Sequence, residues 1–221
     1  MLALTALPAA AELGVDWEVA SNDHPFGGRQ HVGLVEFKGK LYAGGGSKCG
    51  ANDFFCQSGA YYGDLWVSED GISWTKLWGE GPLFDQYDPA VAPAAQLVAF
   101  RDHLYYFGLA RGALRSTDGI HWEELDVETR PGYYPVVEYQ DSLQVFAGGD
   151  SAYSFDGLNW ECCRFVGSPN WLPQMTVASL KGVLYVFGSV LNTPHVWRTE
   201  DLENWTELTG GNVDELEVFS T

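Results

Sequence analysis

One seven-residue phrase recurs four times in this chain, and no other feature constrains the fold as tightly. It reads Ser68-Glu69-Asp70-Gly71-Ile72-Ser73-Trp74, then Ser116-Thr117-Asp118-Gly119-Ile120-His121-Trp122, then Ser154-Phe155-Asp156-Gly157-Leu158-Asn159-Trp160. The fourth copy is altered, to Thr199-Glu200-Asp201-Leu202-Glu203-Asn204-Trp205. Each copy follows a second recurring unit: Leu34-Val35-Glu36-Phe37, Leu97-Val98-Ala99-Phe100, Val136-Val137-Glu138-Tyr139 or Val177-Ala178-Ser179-Leu180, running on to a second apolar stretch that ends in small residues. The phrase tryptophans fall at 74, 122, 160 and 205. A period of this size marks an array of like supersecondary units.

Each unit holds four short apolar runs. The first two are separated by a two-residue polar turn: Lys38-Gly39, Arg101-Asp102, Gln140-Asp141 or Lys181-Gly182. Such turns between apolar runs read as hairpins. The third run precedes the Asp-Gly turn and the fourth begins at the repeated tryptophan, as in Trp122-Glu123-Glu124-Leu125. No segment shows sustained helical periodicity. Four antiparallel strands per unit, arranged radially, make an all-β propeller. Four complete units predict four blades. A further fourth-strand phrase, Trp17-Glu18-Val19, precedes the first unit; it either completes the last blade or belongs to another. A closed ring leaves no unpaired edges; a fragment of a larger propeller, or assembly into one, is the alternative.

The small-residue end of the second strand, the Asp64-Leu65-Trp66 step and the Ser-x-Asp-Gly-x-x-Trp turn together resemble the kelch and Asp-box propeller families, over roughly residues 17 to 210. The turn is one residue shorter than the usual Asp-box, and Leu202 replaces its glycine in the last copy. The resemblance implies a kelch-like propeller rather than a sialidase. It says little about function, because these families include sialidases, oxidases, lectins and adaptors.

Residues 1–14 read as an N-terminal segment and 15–221 as one propeller domain. The segment ends in Leu7-Pro8-Ala9-Ala10-Ala11, like the tail of a secretory signal, although it lacks a basic start. No other stretch is long and apolar enough to span a membrane. Cys49 and Cys56 flank a six-residue loop, and a disulfide there fits an oxidising, extracytoplasmic compartment. The adjacent Cys162 and Cys163 remain unassigned. With 30 acidic and 12 basic residues the chain carries a net charge of -18, which repels phosphate backbones and argues against a nucleic-acid partner.

Asp70, Asp118, Asp156 and Asp201 read as turn residues whose carboxylates accept backbone N–H bonds. Antiparallel topology places the short turns at one end of the blades and the longer loops at the other, where function concentrates. Those loops hold His24, Arg29, His31, Arg130, His195, many aromatics and the acids Asp23, Asp53, Asp85 and Asp88. Arg29, His31, Tyr62, Tyr87, Tyr133, Tyr134, Trp171 and His195 are the candidate ligand-binding residues. Aromatic faces that stack on sugar rings, beside groups that bond hydroxyls, suit a glycan; the same mixture suits a protein hot spot. No metal or cofactor motif is present. The sequence therefore predicts an exported, non-catalytic recognition module for a glycan or protein. A polysaccharide hydrolase or lyase working at the centre of the same face is the alternative.

Overall fold

The computed structural model describes residues 25, 27–29, 32–48, 60–78, 96–107, 113–125, 135–147, 150–162, 175–190 and 193–208. They form four antiparallel four-stranded sheets arranged as the blades of a four-bladed β-propeller. Blade 1 contains β1 (Gly33–Phe37), β2 (Lys40–Gly44), β5 (Leu65–Ser68) and β6 (Thr75–Trp78), with a small ribbon of β3 (Ser47–Lys48) and β4 (Ala60–Tyr61) between its second and third strands. Blade 2 is β7 (Gln96–Phe100), β8 (His103–Phe107), β9 (Ala113–Ser116) and β10 (Glu123–Leu125). Blade 3 is β11 (Val136–Tyr139), β12 (Ser142–Ala147), β13 (Asp150–Ser154) and β14 (Glu161–Cys162). Blade 4 is β15 (Met175–Leu180), β16 (Val183–Val190), β17 (Thr193–Thr199) and β18 (Thr206–Glu207). The first strands pack on one another in order, β1 on β7, β7 on β11 and β11 on β15, so they line the centre.

Each blade begins with a tight hairpin. Lys38, Arg101, Gln140 and Lys181 take φ of 51°, 52°, 51° and 50°. That left-handed turn matches the right-handed twist of the flanking strands. Along each first strand the side chains alternate between two faces. Val35 and Phe37 point to blade 2, while Leu97 of β7 points back to them; together with Tyr42, Leu65, Leu104, Tyr106 and Leu114 they form one core cluster. Phe100, Tyr105 and Phe107 of blade 2 meet Leu143 of blade 3, and Tyr139 and Phe146 of blade 3 meet Leu184 and Leu202 of blade 4. The core is therefore a series of layers between blades. In blades 2, 3 and 4 the tryptophan at the start of the fourth strand extends these layers edge-on: Trp122 against Trp78 at 5.1 Å, Trp160 against Phe107 at 5.7 Å and Trp205 against Phe146 at 6.3 Å.

The repeated turn is held by one carboxylate oxygen. Asp70 Oδ1 accepts the N–H groups of Ile72 and Ser73 at 2.8 and 2.7 Å, and Asp118, Asp156 and Asp201 do the same in their own turns. The hydroxyl two residues earlier accepts the next N–H: Ser68 from Gly71, Ser116 from Gly119, Ser154 from Gly157 and Thr199 from Leu202. These bonds favour the ionised acid. Backbone N–H groups of Ser73 and Ile72 bring Asp70 down to about 2. In Asp156 burial opposes the shift, but the donors on Asn159 and Leu158 outweigh it and the value again falls to about 2. Asp118, chiefly through His121, and Asp201, chiefly through Asn204, lie well below the usual carboxylate range.

The same turns lock neighbouring blades. The Tyr42 ring lies under the second turn so closely that a Cβ on Gly119 would sit 2.0 Å from its hydroxyl oxygen. Tyr105 lies under the third turn, where a Cβ on Gly157 would sit 2.6 Å from its ring, and its hydroxyl donates to Asp156 O at 3.0 Å. At the next junction both partners change. Gln144 stands where the tyrosine stood, and Leu202 stands where the glycine stood, fully buried at φ 66°. Tyr139 supplies the missing hydroxyl, donating to Gly182 O at 2.8 Å and Thr199 O at 3.3 Å. The leucine that interrupts the fourth phrase is thus one half of a compensated exchange.

Two outcomes are expected. Gly119→Ala should cost at least about 3 kcal/mol in urea denaturation, combining overpacking with a left-handed φ. Gly71→Ala, whose Cβ would meet among the described residues only Leu41 Cδ1 of its own blade at 3.3 Å, should cost about 1 kcal/mol; equal losses would refute the latch. The turn acids titrate below their ordinary 3.8, so their contribution is complete above that value and is lost as pH falls toward about 2. An Asp70→Asn/Asp156→Asn variant should show a smaller fall in Tm across that window than the parent.

Candidate functional site

At the end of blade 1 away from its Asp-Gly turn, the second strand closes in Gly44-Gly45-Gly46. These small residues let other groups approach the backbone: a Cβ on Gly44 would lie 2.7 Å from Asp64 O. Gly45 N donates to Asp64 O at 3.1 Å, and Tyr62 N donates to Gly46 O at 3.0 Å. Asp64 is thereby fixed just before β5, almost completely buried.

The Asp64 carboxylate accepts from three donors. Arg29 approaches it in a fork, Nη1 to Oδ1 at 2.6 Å and Nη2 to Oδ2 at 2.8 Å. Trp66 Nε1 donates to Oδ2 at 2.9 Å. Arg29 Nη1 also donates to Gly45 O at 3.1 Å, and the guanidinium lies 3.7 Å over the centre of the Tyr62 ring. This is the bidentate, stacked geometry that arginine forms and lysine does not. Arg29 Nε is buried without a hydrogen-bond partner. Tyr106 arrives from blade 2, with its ring 3.5 Å from the Cβ position of Gly44. Burial, reinforced by the Asp64 charge, holds the Tyr106 phenol well above its usual range.

A second polar group stands at the same end of blade 4. His195 stacks on Trp197, with ring centres 5.2 Å apart and planes 11° from parallel, and its Nδ1 bonds the Glu207 carboxylate across β17 and β18. His195 occupies in blade 4 the place that Asp64 occupies in blade 1, two residues before the third-strand tryptophan.

Of the eight candidate ligand residues, the structure brings Arg29 and Tyr62 together and sets His195 apart on blade 4. Arg29 and His195 both hold a carboxylate of their own chain. Tyr87, Tyr133, Tyr134, Trp171 and His31 lie outside the described residues, as do the proposed Cys49–Cys56 bridge, Cys163, the N-terminal segment and the loop acids Asp23, Asp53, Asp85 and Asp88. In the sequence Asp64, the anchor of the blade 1 cluster, stands out only as part of the Asp64-Leu65-Trp66 step. The signal that marks it is an aspartate two residues before a strand tryptophan, hence on the same face of the strand, opposite a run of glycines. Among the described residues no cluster of three or more His, Cys, Asp or Glu is placed to hold a metal ion. No helix among them is long and apolar enough to cross a membrane.

No protein-family model matches the chain, and neither does any curated protein. Solved structures do share its fold. Zg3597, a family 117 glycoside hydrolase of the marine bacterium Zobellia galactanivorans, is similar with a TM-score of 0.55 at 10% identity, over 84% of this chain and 70% of that one. A mutant of the GH43 protein BlXynB from Bacillus licheniformis gives 0.54 at 10% identity, over 84% and 43%. YjhT gives 0.53 at 14% identity, over 74% and 60%. This chain thus spans less than two thirds of the length of two of the three. At these identities the likeness is one of fold.

Breaking the buried pair from one side should be costly. Arg29→Ala strands the Asp64 charge, and a loss of about 3–5 kcal/mol is expected in urea denaturation. A double Arg29→Leu/Asp64→Leu variant should lose less than Arg29→Ala alone. A single-variant loss under about 1 kcal/mol would mean that the pair behaves as an exposed one.

Proposed function

We propose that this chain is a carbohydrate-active propeller, a glycoside hydrolase that takes its polysaccharide on the long-loop end of the blades. The observation that carries this reading is the fold likeness to two glycoside hydrolases over 84% of the chain, at TM-scores of 0.55 and 0.54. It moves the weight from a purely non-catalytic module to the catalytic alternative. The sequence adds the residue types such a site needs: stacking aromatics and carboxylates gathered on the loops of one end.

Glycoside hydrolysis needs two carboxyl groups flanking the scissile bond, one to give a proton and one to act as nucleophile or base. Asp64 is committed to Arg29 and Trp66 as an acceptor, and Glu207 to His195. Their part in this reading is to hold the platform: Asp64 fixes Arg29, and Arg29 fixes the plane of Tyr62 as a stacking surface. The proton donor and its partner would then come from Asp23, Asp53, Asp85 and Asp88. A glycan-binding module without turnover is the second reading, favoured by the tied state of both described carboxylates. Action outside the cytoplasm accords with both.

The test is reducing-end release from a panel of polysaccharides, read beside binding to the same panel. Turnover that is lost in one or two of Asp23→Asn, Asp53→Asn, Asp85→Asn and Asp88→Asn, with binding retained, is expected. Binding without turnover, weakened by Tyr134→Ala or Trp171→Ala, would assign the module instead. Neither binding nor turnover would leave protein recognition as the function of this face.

A further inference from the structure

A propeller blade has a forward face, which meets the next blade, and a rear face, which meets the one before. Three junctions show what these faces bury. On the forward side the ends of the first strands are sealed, with Phe37 4%, Phe100 1% and Tyr139 3% exposed. On the rear side Leu97 is 7% exposed, and Leu104, Leu143 and Leu184 are fully buried. One forward face and one rear face lie outside these three junctions. On blade 4 the residue equivalent to Phe37, Phe100 and Tyr139 is Leu180, and it is 45% exposed. Ala178 beside it is exposed as well. On blade 1 the residue equivalent to Leu97 is Leu34, and it is 63% exposed. Leu41, the counterpart of the three buried leucines, is only half-buried.

The latch tells the same story. Gly71 keeps the left-handed φ of 74° that lets Gly119 and Gly157 accept a tyrosine from the preceding blade. Blade 4 has the equivalent tyrosine, Tyr185, but this buried ring does not enter the slot, where among the described residues the Cβ position meets Leu41 of its own blade. Lys38 donates to Thr117 O of the next blade at 2.7 Å. Its counterpart on blade 4, Lys181, is exposed. Of the five large apolar residues exposed among those described, Leu34 and Leu180 belong to these two sides.

We propose that the rear face of blade 1 and the forward face of blade 4 form an intermolecular junction, each taken by a second copy of this chain in head-to-tail fashion. The occupant follows from continuity with the internal junctions. The rear face of blade 1 keeps the glycine of the latch, the forward face of blade 4 carries Tyr185 at the position of Tyr42 and Tyr105, and every copy carries one of each. Apolar surface of this kind marks an association site, and unlike faces on one chain make a heterologous contact. With a charge of -18 on each copy, association strengthens as salt screens the repulsion.

Sedimentation of the full chain with Leu34→Lys and Leu180→Lys tests this. Both side chains are already exposed, so far-UV circular dichroism and Tm should match the parent; Leu34→Ser and Leu180→Ser replace any variant that fails this control. The parent should sediment at twice the monomer mass or a higher multiple. Each variant alone should fall to monomer mass, because one half of every junction is spoiled. An equimolar mixture should recover a doubled mass, because the intact forward face of Leu34→Lys meets the intact rear face of Leu180→Lys. A parent that stays monomeric at every concentration and salt overturns the proposal and means that the faces are covered within one chain. Variants that still associate place the contact elsewhere and overturn it, as does a mixture that stays monomeric.

Discussion

One carboxylate oxygen per blade carries an unusual share of this fold. By accepting two successive N–H groups, each turn aspartate fixes the bend between the third and fourth strands. The bend sets where the next residue's Cα stands, and in blades 2 and 3 that Cα is the surface against which a tyrosine of the preceding blade closes. It also sets the start of the fourth strand, and with it the tryptophan that reaches back to the preceding blade. A local bond thus becomes the reference for contacts between units far apart in sequence. Hydrophobic burial supplies most of the driving force, but it is non-directional. The turn gives it direction.

The contrast with the long-loop end is one of how order is produced. At the turn end the same small motif is used four times, and each copy is satisfied within a few residues. At the loop end of blade 1 one long-range ion pair is added to the backbone bonds of the glycine-rich strand end. Arg29 and Asp64 are 35 positions apart, and their contact draws the segment before the first strand onto the glycine-rich end of the second. A buried ion pair is weak evidence for stability in itself. Here its geometric effect matters more, because it holds one face of Tyr62 flat under a cation and orients the indole of Trp66.

The fold was largely legible in the sequence because both of its rules are local. The two-residue turns and the alternation of Leu34-Val35-Glu36-Phe37 and its relatives dictate hairpins, and the fourfold recurrence dictates blades. The site was legible only in part. Arg29, Tyr62 and His195 stood out as polar or aromatic residues in loops, and the structure places all three at the loop end. Their partners did not stand out. Nothing in spacing alone matches Arg29 with Asp64 or His195 with Glu207, since ion pairing across strands depends on register and on which loops fold back. The Gln144 and Leu202 exchange was hidden for the same reason: each looks like decay of its own repeat until the two positions are seen to face the same junction.

That exchange also limits what the blades can be to one another. Leu202 fills the space that a tyrosine occupies elsewhere, so blade 4 fits behind blade 3 but would collide with Tyr42 or Tyr105 behind blade 1 or blade 2. Conversely, blade 2 or blade 3 placed behind blade 3 would meet Gln144 where its glycine takes a tyrosine ring elsewhere. The units share an architecture without being exchangeable. Their succession along the chain is enforced by fit, as the cuts of a key admit one lock, and a duplication or transposition of one blade would survive only if its neighbour changed with it.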